Sequence, residues 1–277
     1  MRLLWQDNLA SLSTTFSLPR GQFGLFEIRY SGTAATGQTV TAANLGNVIL
    51  NWNGSDIINV DAEVIGMQNN LYGGFAEADS ATAGAFAFSI FIQTGLPFDH
   101  RNIYDIGDND KVYFKLDFPA LTPSVIASGT VAIYGKPRTG AMNYLTTILS
   151  RSVVAGGAGT ITDTIVTPNI ATLFVKNPAA LVSDAQLIKN GRVYVDGLIA
   201  AELAYSNWVH EIEATGTFLA VEFAESHDVR EAIGGGITYK YTFTGAGNLA
   251  QYYMGVIFTP RKQQESIATA RSALARR

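Results

Sequence analysis

The sequence predicts an all-β chain: two consecutive units of about eight strands each, sandwiches or jelly rolls, with short accessory helices. Three observations predict it. Most of the 277 residues fall into short runs rich in branched and aromatic side chains, bounded by Gly, Asn, Asp and Pro. The order of those runs in the first half recurs in the second. No regular helices stand between them, which argues against a parallel α/β sheet.

The first half reads as follows. Residues 23–30 carry Phe23, Leu25, Phe26, Ile28 and Tyr30 and end at Ser31-Gly32. Residues 48–52 run into Asn53-Gly54, and a second branched run, 56–60, follows. Asn-Gly between two such runs is the strongest short hairpin signal, because both turn positions need positive φ. A short helix follows, with Val64, Met67 and Leu71 on one face. Residues 85–92 alternate, placing Phe86, Phe88, Ile90 and Ile92 together. Residues 111–118 alternate too, with Val112, Phe114, Leu116 and Phe118 opposite Lys111, Lys115 and Asp117. Residues 125–134 read as one more strand, closed by Gly135-Lys136-Pro137.

Residues 141–150 have helical spacing, with Met142, Leu145 and Leu149 at i, i+3 and i+7. Ala155-Gly156-Gly157-Ala158-Gly159 then suits a flexible linker. Beyond it, 161–166 and 171–175 read as strands, and 192–195 run into Asp196-Gly197, echoing Asn53-Gly54 at an offset of 143 residues. A helix follows again, with Leu198, Ala201, Tyr205, Trp208 and Ile212 on one face, so each helix is expected to cap an open end of its sandwich. Residues 217–223, 237–243 and 251–258 match the first half's 85–92, 111–118 and 125–134. The expected organisation is a first jelly roll with an N-terminal arm (1–138), a helical and Gly-rich linker (139–159), a second jelly roll (160–260) and a basic tail (261–277).

Composition narrows the function. The chain is 47% hydrophobic and 15% charged, where ordinary chains are about a quarter charged, so disorder is not expected. With no Cys, a disulfide scaffold and a Cys-ligated zinc are excluded. Met1-Arg2-Leu3-Leu4-Trp5-Gln6-Asp7 is too polar to open a signal peptide, and 83–98 is too short and too polar to span a bilayer. The net charge of −4 is uneven: the tail's Arg261, Lys262, Arg271, Arg276 and Arg277 against Glu265 leave −8 on the body. That body disfavours specific nucleic-acid binding by the folded part.

The motifs of catalysis are missing. There is no Gly-x-Ser-x-Gly elbow, and Gly135-Lys136 is followed by Pro137, which cannot donate to a phosphate. Gly245-Ala246-Gly247-Asn248-Leu249-Ala250 fits a dinucleotide pattern, but a Tyr-rich β-like run follows where a helix is needed, so it reads as a hairpin loop. His100, His210 and His227 are far apart, and Glu211 and Glu213 read as solvent-exposed. Asn53-Gly54-Ser55 fits a glycosylation acceptor and reads as the hairpin turn. In the 105–110 loop, Asp105, Asp108 and Asp110 offer carboxylates that suit a structural calcium ion. The loop lacks the calcium-loop Glu and has Lys111 beside it, so an ordinary polar turn stands as the other reading. No catalytic residues and no cofactor beyond that calcium ion are expected.

The pattern resembles the double jelly-roll major capsid proteins of tailless, membrane-containing icosahedral bacteriophages, the corticovirus-like and tectivirus-like group. Phe26-Glu27-Ile28-Arg29-Tyr30-Ser31-Gly32 resembles an early strand of the corticovirus-type coat protein. Asn47-Val48-Ile49-Leu50-Asn51-Trp52-Asn53-Gly54 resembles its next strand and turn, and Tyr253-Met254-Gly255-Val256-Ile257-Phe258 its closing strand. Length, repeat and element order extend the resemblance over nearly the whole chain.

The resemblance implies a structural, non-enzymatic protein. It would form homotrimers of pseudo-hexagonal outline that tile an icosahedral virion shell around an internal membrane, with penton and minor capsid proteins as partners. It would be assembled in the host bacterial cytoplasm. Low charge fits a surface buried between identical neighbours. The tail could form an amphipathic helix, with Ile267, Ala270 and Leu274 on one face. Its contact residues would be Arg261, Lys262, Ile267, Arg271, Leu274, Arg276 and Arg277, meeting either a neighbouring subunit or lipid head groups. The competing reading is a carbohydrate- or receptor-binding β-sandwich, using Tyr72, Phe75 and Tyr104 in the loops 69–78 and 99–110.

Overall fold

The computed structural model describes residues 1–9, 13–71, 84–96, 101–118, 125–167, 169–209, 218–223 and 234–258, with only the backbone for 70, 71 and 206–209. The chain divides into two compact units. The first draws on the described residues within Met1–Ile57, Glu77–Thr146 and Val256–Arg277, the second on those within Ile58–Ala76 and Thr147–Gly255.

The strands of the first roll are β1 (Arg2–Asn8), β2 (Ser13–Ser17), β3 (Gly21–Ala34), β4 (Asn47–Trp52), β5 (Ser55–Asp61), β6 (Ala85–Gln93), β7 (Tyr104–Ile106), β8 (Val112–Asp117) and β9 (Ile126–Pro137). One sheet has the order β1-β9-β3-β6, with β7 also on β3. β6 pairs with residues 25–33 of β3 and β7 with residues 21–23, so the two share one position along it. The other sheet runs β2-β8-β4-β5. Alternation decides which side chains face inward. Phe26, Ile28 and Tyr30 of β3, Phe88, Ile90 and Ile92 of β6, and Phe114 and Leu116 of β8 are buried, as their period of two predicts. Phe26 meets Phe114 edge-on at 5.5 Å between ring centres, and Trp52 meets Tyr104 at 5.5 Å. Each such side chain contributes roughly 1.5–3 kcal/mol on leaving water.

The second roll is β10 (Tyr144–Ala155), β11 (Gly159–Ile165), β12 (Ile170–Lys176), β13 (Val182–Lys189), β14 (Arg192–Leu198), β15 (Phe218–Glu222), β16 (Ile237–Phe243) and β17 (Gly247–Phe258). Its sheets run β10-β17-β12-β15 and β11-β16-β13-β14. With the three-residue β7 left out of the count, both rolls have eight strands in the same order, 1-8-3-6 and 2-7-4-5. Leu173, Val175, Leu187, Val195, Leu219, Phe223, Ile237, Tyr239 and Tyr241 form the second core. Helix α1 (Ala62–Leu71) belongs to this unit, where Gln68 Nε2 donates to Met254 Sδ at 2.9 Å. β5 crosses the division: its Ile58 and Asn59, on the second unit's side, pair in parallel with Ile148 and Leu149 of β10.

Several sequence expectations need correction. Residues 139–159 are not a helical linker. Thr146, Thr147, Ile148, Val153 and Val154 put branched side chains along β10, the first strand of the second roll, and the Gly-rich run is only its turn into β11. The N-terminal arm is likewise a strand, β1, paired antiparallel with β9. Asp196-Gly197 lies inside β14, with Gly197 opposite Ala185. The true counterpart of Asn53-Gly54 (φ 52° and 89°) is Asn190-Gly191 (φ 52° and 77°), the same left-handed pair in the same place of each roll. Helix α2 (Ile199–Val209) buries Ile199 and Leu203 and exposes Ala201 and Tyr205, which the helical face had placed inward. The 245–247 segment joins β16 to β17, which lie in different sheets, so it is a corner and not a hairpin.

Candidate assembly surface

The 105–110 loop is held by protein partners. Asn53 Nδ2 donates to Asp110 Oδ1 at 2.8 Å, while Asn53 Oδ1 accepts from the Lys111 N–H at 2.7 Å. The other Asp110 oxygen takes the Gly107 N–H at 2.9 Å, closing the turn. Asp108 pairs with Arg20 at 2.7 Å, and Asp105 accepts from Gln22 Nε2 at 3.1 Å. The three carboxylates therefore serve three different partners. Among the described residues no group of three or more His, Cys, Asp or Glu is placed to hold a metal. The structural-cation reading of Asp105, Asp108 and Asp110 gives way to the polar turn.

The tail residues Arg261, Lys262, Ile267, Arg271, Leu274, Arg276 and Arg277 lie outside the described residues, as do the three His, Glu211, Glu213, Tyr72 and Phe75. Tyr104 is buried, with its hydroxyl donating to the Thr146 carbonyl at 3.1 Å, so it belongs to the core and not to a binding loop. No helix among the described residues is long and apolar enough to cross a membrane.

Two features escaped the sequence reading. On the outward face of β3, Glu27 sits between Phe91 and Tyr134 in register and is only 5% exposed. Its Oε1 accepts from Arg29 Nε at 3.1 Å, Arg29 Nη2 at 2.9 Å and Ser89 Oγ at 2.8 Å, and the Arg29 guanidinium lies 4.7 Å over the Tyr134 ring. The bond to Glu27 raises the Arg29 pKa against the opposing effect of burial. The Glu27-x-Arg29 spacing, two residues apart on one face of a strand, was the available signal. In the second unit Lys189 ends β13 and is buried, its Nζ donating to the Ile170 carbonyl and lying 5.3 Å over Phe223. Burial pushes its ammonium down to about 8.

The edges of the sheets carry exposed apolar side chains. Leu3 on β1 is 48% exposed, with Met1 beside it at 57%; Val193 and Leu198 on β14 are 47% and 63% exposed. Strand edges of this kind invite pairing with another chain.

Two eight-stranded jelly rolls of one strand order in a single chain define a double jelly-roll protein. The chain shares this fold with solved viral coat structures. The major capsid protein P2 of bacteriophage PM2 is 17% identical, over 94% of this chain and 97% of that one, with a TM-score of 0.64. A chain of the atomic structure of Sulfolobus Turreted Icosahedral Virus is 12% identical, over 100% and 98%, with a TM-score of 0.67. A chain of the PBCV-1 virus capsid is 9% identical, over 92% and 92%, with a TM-score of 0.61. At these identities the likeness is one of fold. No family model matches the sequence, and no curated protein does.

Proposed function

We propose that the chain is a major capsid protein, a structural protein of a virion and not an enzyme. The observation that carries this is the repeated 1-8-3-6 and 2-7-4-5 strand order, which spans the chain and is shared in fold with the major capsid protein of a bacteriophage. Copies assemble as trimers, and six rolls per trimer give a pseudo-hexagonal outline that tiles an icosahedral shell around an internal membrane. Penton and minor capsid proteins complete the shell, which is assembled in the host bacterial cytoplasm. The basic tail meets a neighbouring subunit or lipid head groups on the inner side.

The test is light scattering on purified full-length protein, followed by negative-stain imaging. A species of three times 29.7 kDa with hexagonal outlines is expected. A monomer at all concentrations overturns the proposal.

A further inference from the structure

We propose that Asn190, in the turn between β13 and β14, is a site of spontaneous covalent modification, converted to aspartate and isoaspartate through a succinimide, while the fold holds the matching Asn53 back. The inference does not rest on the coat reading. The chain has two Asn-Gly pairs, Asn53-Gly54 and Asn190-Gly191. Both asparagines are exposed, and both sit at a φ of 52° in a left-handed turn. In each pair the next residue is a glycine, so no side chain shields the backbone nitrogen that attacks. Sequence and turn conformation therefore give the two sites the same intrinsic chemistry. They differ in what restrains them.

At the first turn the reacting groups are all engaged. Asn53 Nδ2 donates to Asp110 Oδ1 at 2.8 Å, and Asn53 Oδ1 accepts from the Lys111 N–H at 2.7 Å. The Gly54 N–H, which carries the nucleophile, donates to Asn51 Oδ1 at 2.9 Å. Strand register gives the counterparts at the second turn. Trp52 pairs with Val112 as Lys189 pairs with Ile237, so the residues before β8 and before β16 correspond. Gly235 holds the place of Asp110, and Ile188 holds the place of Asn51. Neither has a side-chain acceptor. Gly235 lies against the Asn190 carboxamide, since a Cβ on it would come 2.7 Å from Asn190 Oδ1. Among the described residues no hydrogen bond holds that carboxamide.

The step balances without an oxidant or reductant. The Gly191 nitrogen attacks Asn190 Cγ and forms the ring bond. The Cγ–Nδ2 bond breaks, and Nδ2 leaves as ammonia with the proton that the Gly191 nitrogen gives up. Water then opens the ring, at Cγ to give aspartate or at the main-chain carbonyl to give isoaspartate. The net change replaces NH2 by OH. Either product adds a negative charge between Lys189 and Arg192, and isoaspartate lengthens a tight turn by a further backbone carbon.

The full chain is incubated in mildly alkaline buffer at physiological temperature, and the two Asn-Gly peptides are followed by mass spectrometry, with isoaspartate detected by isoaspartyl methyltransferase. One restraining hydrogen bond to a charged group corresponds to about a tenfold change in rate, so Asn190 is expected to convert at least about tenfold faster than Asn53. In guanidinium, where both turns are lost, the two rates should converge. Gly235→Asp returns a carboxylate to the place of Asp110 and should slow conversion at Asn190; Gly235 is not at positive φ, so its backbone accepts the side chain. Asp110→Ala should speed conversion at Asn53. Circular dichroism checks that both variants fold. Equal rates in the folded chain, or faster loss at Asn53, overturn the proposal. A difference that persists in guanidinium belongs to the flanking sequence and overturns it as well.

Discussion

Gly32 on β3 and Gly129 on β9 face each other across the ladder, and neither has room for a side chain. A Cβ on Gly32 would lie 2.1 Å from the Ser128 carbonyl oxygen and 2.9 Å from the Phe86 ring. On Gly129 it would lie 2.5 Å from Leu9 Cδ1 and 2.7 Å from the Ser31 carbonyl oxygen. Backbone atoms cannot yield, and Leu9 is buried against the same spot. Gly129→Val is expected to cost about 3 kcal/mol, in the range of other overpacked cores, and Gly32→Ala nearly as much. Gly156→Ala, with nothing within 4 Å, should leave stability almost unchanged. Urea unfolding followed by tryptophan fluorescence separates these outcomes.

Asn102 ties the 101–106 segment to the start of β10. Its Nδ2 donates to the Tyr144 carbonyl at 3.0 Å and to the Thr94 carbonyl, and its Oδ1 accepts from the Asn143 N–H at 2.8 Å and the Tyr144 N–H at 3.3 Å. All four hydrogen-bonding directions of this side chain are matched in a site that excludes water. Asn102→Ala should therefore destabilise the first unit by about 2–4 kcal/mol, since it strands backbone groups. Tyr144→Phe removes only the hydroxyl that accepts the Leu96 N–H at 3.1 Å, and should cost about 1 kcal/mol. Thermal melts of the two variants give the comparison.

The matched turns at Asn53-Gly54 and Asn190-Gly191 should respond alike at glycine and differently at asparagine. Gly54→Ala and Gly191→Ala each force a Cβ into positive φ and should cost about 1 kcal/mol. Asn53→Ala also releases Asp110 and the Lys111 N–H, so it should cost more than Asn190→Ala and raise amide exchange in residues 107–111. Equal losses at the two asparagines would show that the loop does not depend on Asn53.

Much of the fold was legible because amphipathic strands announce themselves. β6 and β8 alternate cleanly, and their buried sets are the ones the period of two picks out. β10 was misread for a physical reason. Tyr144, Thr146, Thr147 and Ile148 are all buried, two of them as threonines, so alternation is lost and the remaining Leu145 and Leu149 mimic a helical stripe. Asp196-Gly197 imitated a turn because the residue pair is the same chemistry as Asn-Gly, while the positive φ that decides the matter sits at Asn190 and Gly191. The carboxylates at 105–110 looked like ligands because their partners, Arg20, Gln22 and Asn53, are distant in sequence. Which strands lie at the sheet edges depends on strand order, which single-strand patterns do not carry.

Lys189 makes stability rise with pH over a defined window. Its folded value is pushed down to about 8 by burial, while the unfolded chain holds the proton to its ordinary value near 10.5. Between those values the unfolded state binds more protons, so stability increases with pH, by at most about 1.4 kcal/mol per unit. Above about pH 10 the sign reverses, because burial raises the Tyr30, Tyr104 and Tyr241 hydroxyls and the unfolded state ionises first. Urea midpoints at pH 7.5, 8.5 and 9.5 should climb for the parent chain. In Lys189→Met that climb should flatten, and an unchanged slope would assign it to another group.

The pairing of β1 with β9 sets a schedule for synthesis. Leu3 meets Tyr134, and Asn8 meets Thr130. At about 5–20 residues per second, the ribosome takes on the order of ten seconds to deliver the partner of the first strand. The same delay recurs in the second roll, whose opening strand β10 lies beside its closing strand β17. Neither sheet can close progressively from its beginning. Each waits for its last strand, so the nascent chain carries open, apolar-lined ladders while it is made. Slow, non-local folding of this kind is the regime in which chaperone capacity, rather than the stability of the finished roll, sets the yield of protein.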